Sequence, residues 1–193
     1  METNEKKNKY QLVKDFVSSR IFAVTESNDI SRQKYILAKL RRSVGRSPAE
    51  CPETWGFILE KMPAALMGEN EISFAETAIF TSLTLYALHQ QGKDIAQNPM
   101  HVKGCRLGSS VASLIKSEDD TNRVIGRFNR LASASNFDEA AHQVQTLIGM
   151  LNSKSIPLDY SDLAGDFYKM QFDDNIDDIR MKWGKDFYRK LPF

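Results

Sequence analysis

The segment from Ile72 to Gln91, ISFAETAIFTSLTLYALHQQ, restricts the fold more than any other. Ser73-Phe-Ala-Glu76 has the spacing of a capping box, and Gly92 stands where a helix is expected to end. Between these signals, apolar residues fall on nearly every side of a 3.6-residue helix. A helix of that kind is expected to be central and buried, so other elements must surround it. They are not strands. No segment alternates with period two for long, and β-branched runs are absent. The partners are therefore helices.

The rest of the chain supplies them. Leu12, Val13, Phe16, Val17, Ile21 and Val24 recur at helical spacing from Tyr10, after a polar start expected to fray. Ser31–Arg46 reads as a helix capped by Ser31 and ended by Gly45. Pro52 suits the first turn of a short helix that carries Trp55, Ile58, Leu59 and Met62. Beyond the buried segment, helices are expected over 109–116, 119–134, 137–151, 161–170 and 177–191. Their inward stripes include Val124, Phe128 and Leu131, then Val144, Leu147 and Leu151, then Ile179, Trp183 and Phe187. Residues 92–108 hold three glycines, a proline and little periodicity. The expectation is an all-α chain of about nine helices in two small bundles, 1–98 and 99–193.

Net charge excludes a uniformly basic protein: it is +1 over 193 residues. The informative quantity is segregation. Ser31–Arg46 holds Arg32, Lys34, Lys39, Arg41, Arg42 and Arg46 and no acid. At about 100° per residue, Arg32, Lys39 and Arg42 point away from the face of Ile36, Leu37, Leu40 and Val44. Arg123, Arg127 and Arg130 share another facet, and Lys182, Lys185 and Arg189 a third. Surface helices usually mix both signs, so one-signed faces suit an anionic partner, of which a phosphate backbone is the commonest.

Catalytic constellations are not found. Cys51 and Cys105 lack metal-ligand spacing and read as reduced thiols. His89, His101 and His142 sit in no setting for nucleophilic catalysis; His89 is expected at the surface or in contact with a helix dipole. The aspartates at 173–178 lack the pattern of a calcium loop and read as a solvated helix start. Gly104-Cys-Arg-Leu-Gly108-Ser-Ser, with Lys103 and Arg106, is either a phosphate-contacting loop or a plain turn. It is not a nucleotide-hydrolysing loop, because no Gly-Lys-Ser/Thr follows. No cofactor is implied. METNEKKNKY has no secretory core and no run spans a membrane, so a cytoplasmic protein is expected.

The order of several short motifs resembles the CasB family, the small subunit of the type I-E Cascade complex of CRISPR immunity. These are Ala38-Lys-Leu-Arg41-Arg42, Trp55, Tyr86-Ala-Leu-His-Gln-Gln-Gly92, Arg106-Leu-Gly108, Arg127-Phe-Asn-Arg130-Leu, Ile156-Pro-Leu-Asp159-Tyr160 and Trp183-Gly-Lys-Asp-Phe-Tyr188. The resemblance implies a non-enzymatic helical subunit. Its partners would be a second copy of itself, the Cascade backbone and large subunits, CRISPR RNA and target DNA, above all the displaced non-target strand. By position it points to Arg41 or Arg42, and to Arg106, Arg127, Arg130 and Lys185. Adding the facets and the loop gives Lys39, Lys103, Arg123, Lys182 and Arg189. Relatives often carry an arginine after the histidine at His142; this chain has Gln143. A helical adaptor docking acidic protein surfaces is the alternative. A helix-turn-helix regulator fits poorly, because a long loop follows Gly45.

Overall fold

A computed structural model of the chain describes residues 2–191. Among the described residues it contains nine α-helices, three single turns of 3-10 helix and no strand. The helices are α1 (Glu2–Thr25), α2 (Ile30–Arg42), α3 (Pro52–Ile58), α4 (Phe74–His89), α5 (Leu107–Ala112), α6 (Glu118–Ala132), α7 (Phe137–Ser153), α8 (Tyr160–Met170) and α9 (Ile176–Lys190). Among the described residues the one extended pairing is a parallel bridge between His101 and Leu158.

Local signals account for most ends. Ser73 Oγ accepts from the Glu76 amide at 3.0 Å, and a Glu76 carboxylate oxygen accepts from the Ser73 amide at 2.7 Å. That is the expected capping box. Gly45 and Gly92 both adopt φ +75°, where a side chain would be strained. Two starts differ from expectation. Helix α1 begins at Glu2 rather than near Tyr10, since a nucleated helix extends at little cost through residues that tolerate it. The cap of α2 is Asp29, not Ser31: its carboxylate accepts from the Arg32 amide at 2.9 Å.

The chain divides into two compact units that are not consecutive along the sequence. Residues 1–88 and 160–168 make the first; residues 89–159 and 169–193 make the second. In the first, α4 is buried on nearly all sides, including Ser82 and Thr84. Tyr160 lies edge-on to Tyr86, with centroids 5.5 Å apart, and its hydroxyl donates to the Leu85 carbonyl at 3.3 Å. Asp162 pairs with Lys14 of α1 at 2.9 Å. Gly165 lets α8 approach α1: a Cβ there would stand 2.6 Å from the Tyr10 ring.

In the second unit α9 is the pivot. Phe187 stacks on Phe128 of α6, with centroids 4.0 Å apart and planes 4° from parallel. Gly108 of α5 meets α9 so closely that a Cβ would lie 2.1 Å from the Trp183 carbonyl oxygen. The Arg106-Leu-Gly108 and Trp183–Tyr188 motifs are thus two halves of one contact. Ile156–Tyr160 is a second tie. Leu158 pairs with the 100–102 strand-like segment, the Ser110 hydroxyl donates to the Pro157 carbonyl at 2.8 Å, and buried Asp159 accepts from the Gly104 amide at 2.8 Å.

Candidate nucleic-acid interface

Of the eleven basic residues singled out in the sequence, Lys39, Arg41 and Arg42 belong to the first unit and the other eight to the second. On α2, Leu37 and Leu40 are buried, which turns Arg32 and Arg42 to solvent. Lys39 and Arg41 are half-buried. Lys39 extends its ammonium over the Tyr35 ring, 4.3 Å from the centroid. Tyr35 is 60 % exposed and shares the outward face. It was not among the sequence candidates, although at about 100° per residue it falls between Lys39 and Arg42. An aromatic flanked by cations is what a base-stacking surface needs.

In the second unit, burial of Val124, Phe128 and Leu131 fixes the roll of α6 and exposes Arg123, Arg127 and Arg130. Arg123 is held by Asp120 at 2.6 Å, one turn away. Arg127 and Arg130 form no ion pair among the described residues. On α9, burial of Ile179, Trp183 and Phe187 leaves Lys185 and Arg189 exposed, with Lys182 half-buried. The α5–α9 contact brings Arg106 to α9, where it meets Asp186 at 3.6 Å. The Arg123–Asp120 pair is solvent-exposed and screened, so a phosphate competes for Arg123 readily. Tyr188, 55 % exposed and edge-on to Phe128, is a second aromatic outside the sequence's candidate site residues.

The Gly104–Ser110 loop is a tight turn leading into α5. Its first three amides are already engaged. Gly104 donates to Asp159, Cys105 to the Val102 carbonyl and Arg106 to the Gly104 carbonyl. The Ser109 and Ser110 hydroxyls bond to Arg106 and Pro157 carbonyls. Gly104 takes φ +86° and Gly108 serves helix packing, so both glycines have structural work. Lys103 and Arg106 remain exposed beside this turn.

His89 also differs from expectation. It is fully buried, at 0 % exposure, and burial pushes its pKa down to about 4, against a smaller opposing effect of a hydrogen bond with the Ile156 backbone. A neutral ring inside the fold neither faces water nor complements a helix dipole as a cation. Cys51 is buried and Cys105 half-buried, and both are free thiols. Among the described residues, no three His, Cys, Asp or Glu side chains gather as a metal site requires, and no helix is long and apolar enough to cross a membrane.

Comparison with known proteins follows the same lines. The family profile of the CRISPR-associated protein Cse2 matches residues 36–188. The crystal structure of CasB from Thermobifida fusca superposes with a TM-score of 0.76 at 29 % identity, covering 92 % of this chain and 98 % of that one. CasB from Thermus thermophilus gives 0.66 at 17 % identity, over 92 % and 96 %. A chain of a CRISPR RNA-guided surveillance complex gives 0.67 at 16 % identity, over 93 % and 95 %. No curated protein matches.

Proposed function

The chain belongs to the CRISPR-associated Cse2 family, also called CasB, and from that premise we propose that it is the small, non-catalytic subunit of a type I-E Cascade surveillance complex in the cytoplasm. In that complex it works beside a second copy of itself, the backbone and large subunits, and the CRISPR RNA. Its task is to hold the phosphate backbone of the R-loop, above all the displaced non-target strand of the target DNA.

The observation that carries this reading is the exposed pair Arg127 and Arg130, turned outward by the buried stripe of α6 and free of intramolecular ion pairs among the described residues. Strand exchange in an R-loop is nearly balanced, because the heteroduplex formed is about as stable as the duplex lost. A few phosphate contacts to the displaced strand are enough to tip it. The contacts expected here are sequence-tolerant: guanidinium and ammonium groups for phosphates, Tyr35 and Tyr188 for the faces of bases. Exposed Trp55, Leu59 and Ile72 around one apolar groove also suit a chain that works inside an assembly.

The test is the assembled complex carrying Arg127→Ala and Arg130→Ala. Target-DNA affinity is measured over a salt series. Loss of two single-strand phosphate contacts lowers the slope of log K against log salt by about 1.4. An unchanged slope and affinity would remove the α6 facet from the interface.

A further inference from the structure

Among the described residues of the first unit, Arg20 is a charged side chain whose burial ordinary packing does not explain. It lies on α1 with 6 % of its surface exposed. A guanidinium keeps its charge in proteins, so its burial needs compensation. It receives little. Its ion pair with Glu60 is long, 3.4 Å, to a carboxylate side chain 49 % exposed. Its Nε is buried without a hydrogen-bond partner among the described residues. The Phe57 ring, 4.4 Å away, supports the guanidinium plane but offers no acceptor. Burial lowers the pKa of Arg20, Glu60 opposes that, and Arg32 adds to it.

The surroundings point to what is missing. Arg20 walls a cavity of about 280 Å³ among α1, α2 and the end of α3, together with Arg32, Gln33, Glu60 and Lys61. Three cations there face one carboxylate. The Gln33 carboxamide is committed through its nitrogen to the Thr25 and Ser27 carbonyls, at 3.3 and 2.8 Å. Lys61 stands at φ +61°, a left-handed conformation that a lysine adopts at some cost, yet it carries a third positive charge to this wall. A second cavity of about 230 Å³ shares Arg32, Ile36, Phe57 and Glu60 with the first. Its charges balance, with Arg32 and Lys39 against Glu53 and Glu60, and Tyr35, Leu40 and Phe57 give it an apolar character.

We propose that the two adjoining cavities form a site for a single nucleotide, with the phosphate held by Arg20, Arg32 and Lys61 and the base against Tyr35 and Phe57. Phosphate oxygens in the first cavity offset the excess positive charge of Arg20, Arg32 and Lys61. The balanced, apolar cavity takes a neutral planar ring. This inference shares Tyr35 with the R-loop reading, whose carrying observation is the α6 arginine pair of the other unit.

The experiment is calorimetric titration of the full chain with 5′-AMP, adenosine and the dinucleoside monophosphate ApA. Saturable binding of AMP is expected, at least about ten-fold tighter than adenosine, because adenosine lacks the charge-assisted contacts. ApA binding as well as AMP identifies the phosphodiester of a strand as the ligand; AMP alone identifies a free nucleotide. The variant is Arg32→Gln with Lys61→Gly. Glycine suits φ +61°, so the fold is retained while two cations are lost, and the affinity falls at least about ten-fold. Absence of saturable binding of both AMP and ApA at millimolar concentration overturns the proposal. So does equal affinity in the wild-type and variant chains.

Discussion

Replacing Gly108 by alanine is the sharpest test of how this chain is held together. A Cβ at that position stands 2.1 Å from the Trp183 carbonyl oxygen, 2.7 Å from the Phe187 amide nitrogen and 3.0 Å from the Asp186 Cβ. Carbon–oxygen contacts normally lie at about 3.3–3.6 Å even when attractive. Helices α5 and α9 must therefore part by about an ångström, and a gap of that size forfeits roughly a quarter to a half of each dispersion contact across it. Two of the three opposing atoms are backbone, so no rotamer change relieves the clash. Overpacking usually destabilises by about 1–3 kcal/mol, and a backbone clash belongs at the upper end. For a chain of this length about 3 kcal/mol lowers Tm by roughly 6–12 °C. The controls are Gly126→Ala in α6 and Gly149→Ala in α7, where an added Cβ meets nothing within 4 Å. Each should stabilise by about 0.5–1 kcal/mol, since glycine weakens a helix interior. Differential scanning calorimetry, following the transition of the second unit, reads all three. A Gly108→Ala chain melting within about 1 °C of wild type, less than about 0.5 kcal/mol of change, would refute the close approach of α5 and α9.

Two further outcomes follow from the first and second units. His89 has a folded pKa of about 4 against an ordinary 6.5, so the unfolded chain binds the proton more readily. Its contribution to stability is complete above pH 6.5 and is lost as pH falls toward 4, by about 3 kcal/mol in all. Urea midpoints across that range, compared with a His89→Asn chain, should show this share of the acid sensitivity disappear; parallel profiles would contradict it. Ser73→Ala removes one half of the capping box of α4 and should cost about 1 kcal/mol in chemical denaturation, whereas an unaltered midpoint would mean that the Glu76 contacts alone hold that end.

Fold class was legible in the sequence because helix periodicity and caps are local. The stripes of α6, α7, α8 and α9 are buried largely as their spacing requires, and the Ser73–Glu76 cap and the Gly45 and Gly92 turns serve as their residue types suggest. The outward roll of Arg127 and Arg130 follows from the same stripe. Of the competing carboxylates, Asp120 is local to Arg123, but Asp186 did not follow. Asp186 reaches Arg106 only because α5 packs on α9, so the sequence could not separate engaged from available cations.

What remained for the tertiary structure was everything set by contacts distant along the chain. His89 reads as an ordinary helix-end histidine until the elements around it bury it and take its charge. The two glycines of Gly104–Ser110 suggest a phosphate loop until Asp159, fifty-five residues on, is seen to occupy the Gly104 amide and α9 to fill the space beside Gly108. Residues 160–168 return to the first unit, a pairing no local signal encodes. Periodicity, capping and turn chemistry act over about four residues, within reach of one helical turn. Burial, charge pairing and the choice of neighbours act through space, and only the folded chain decides which distant residues share it.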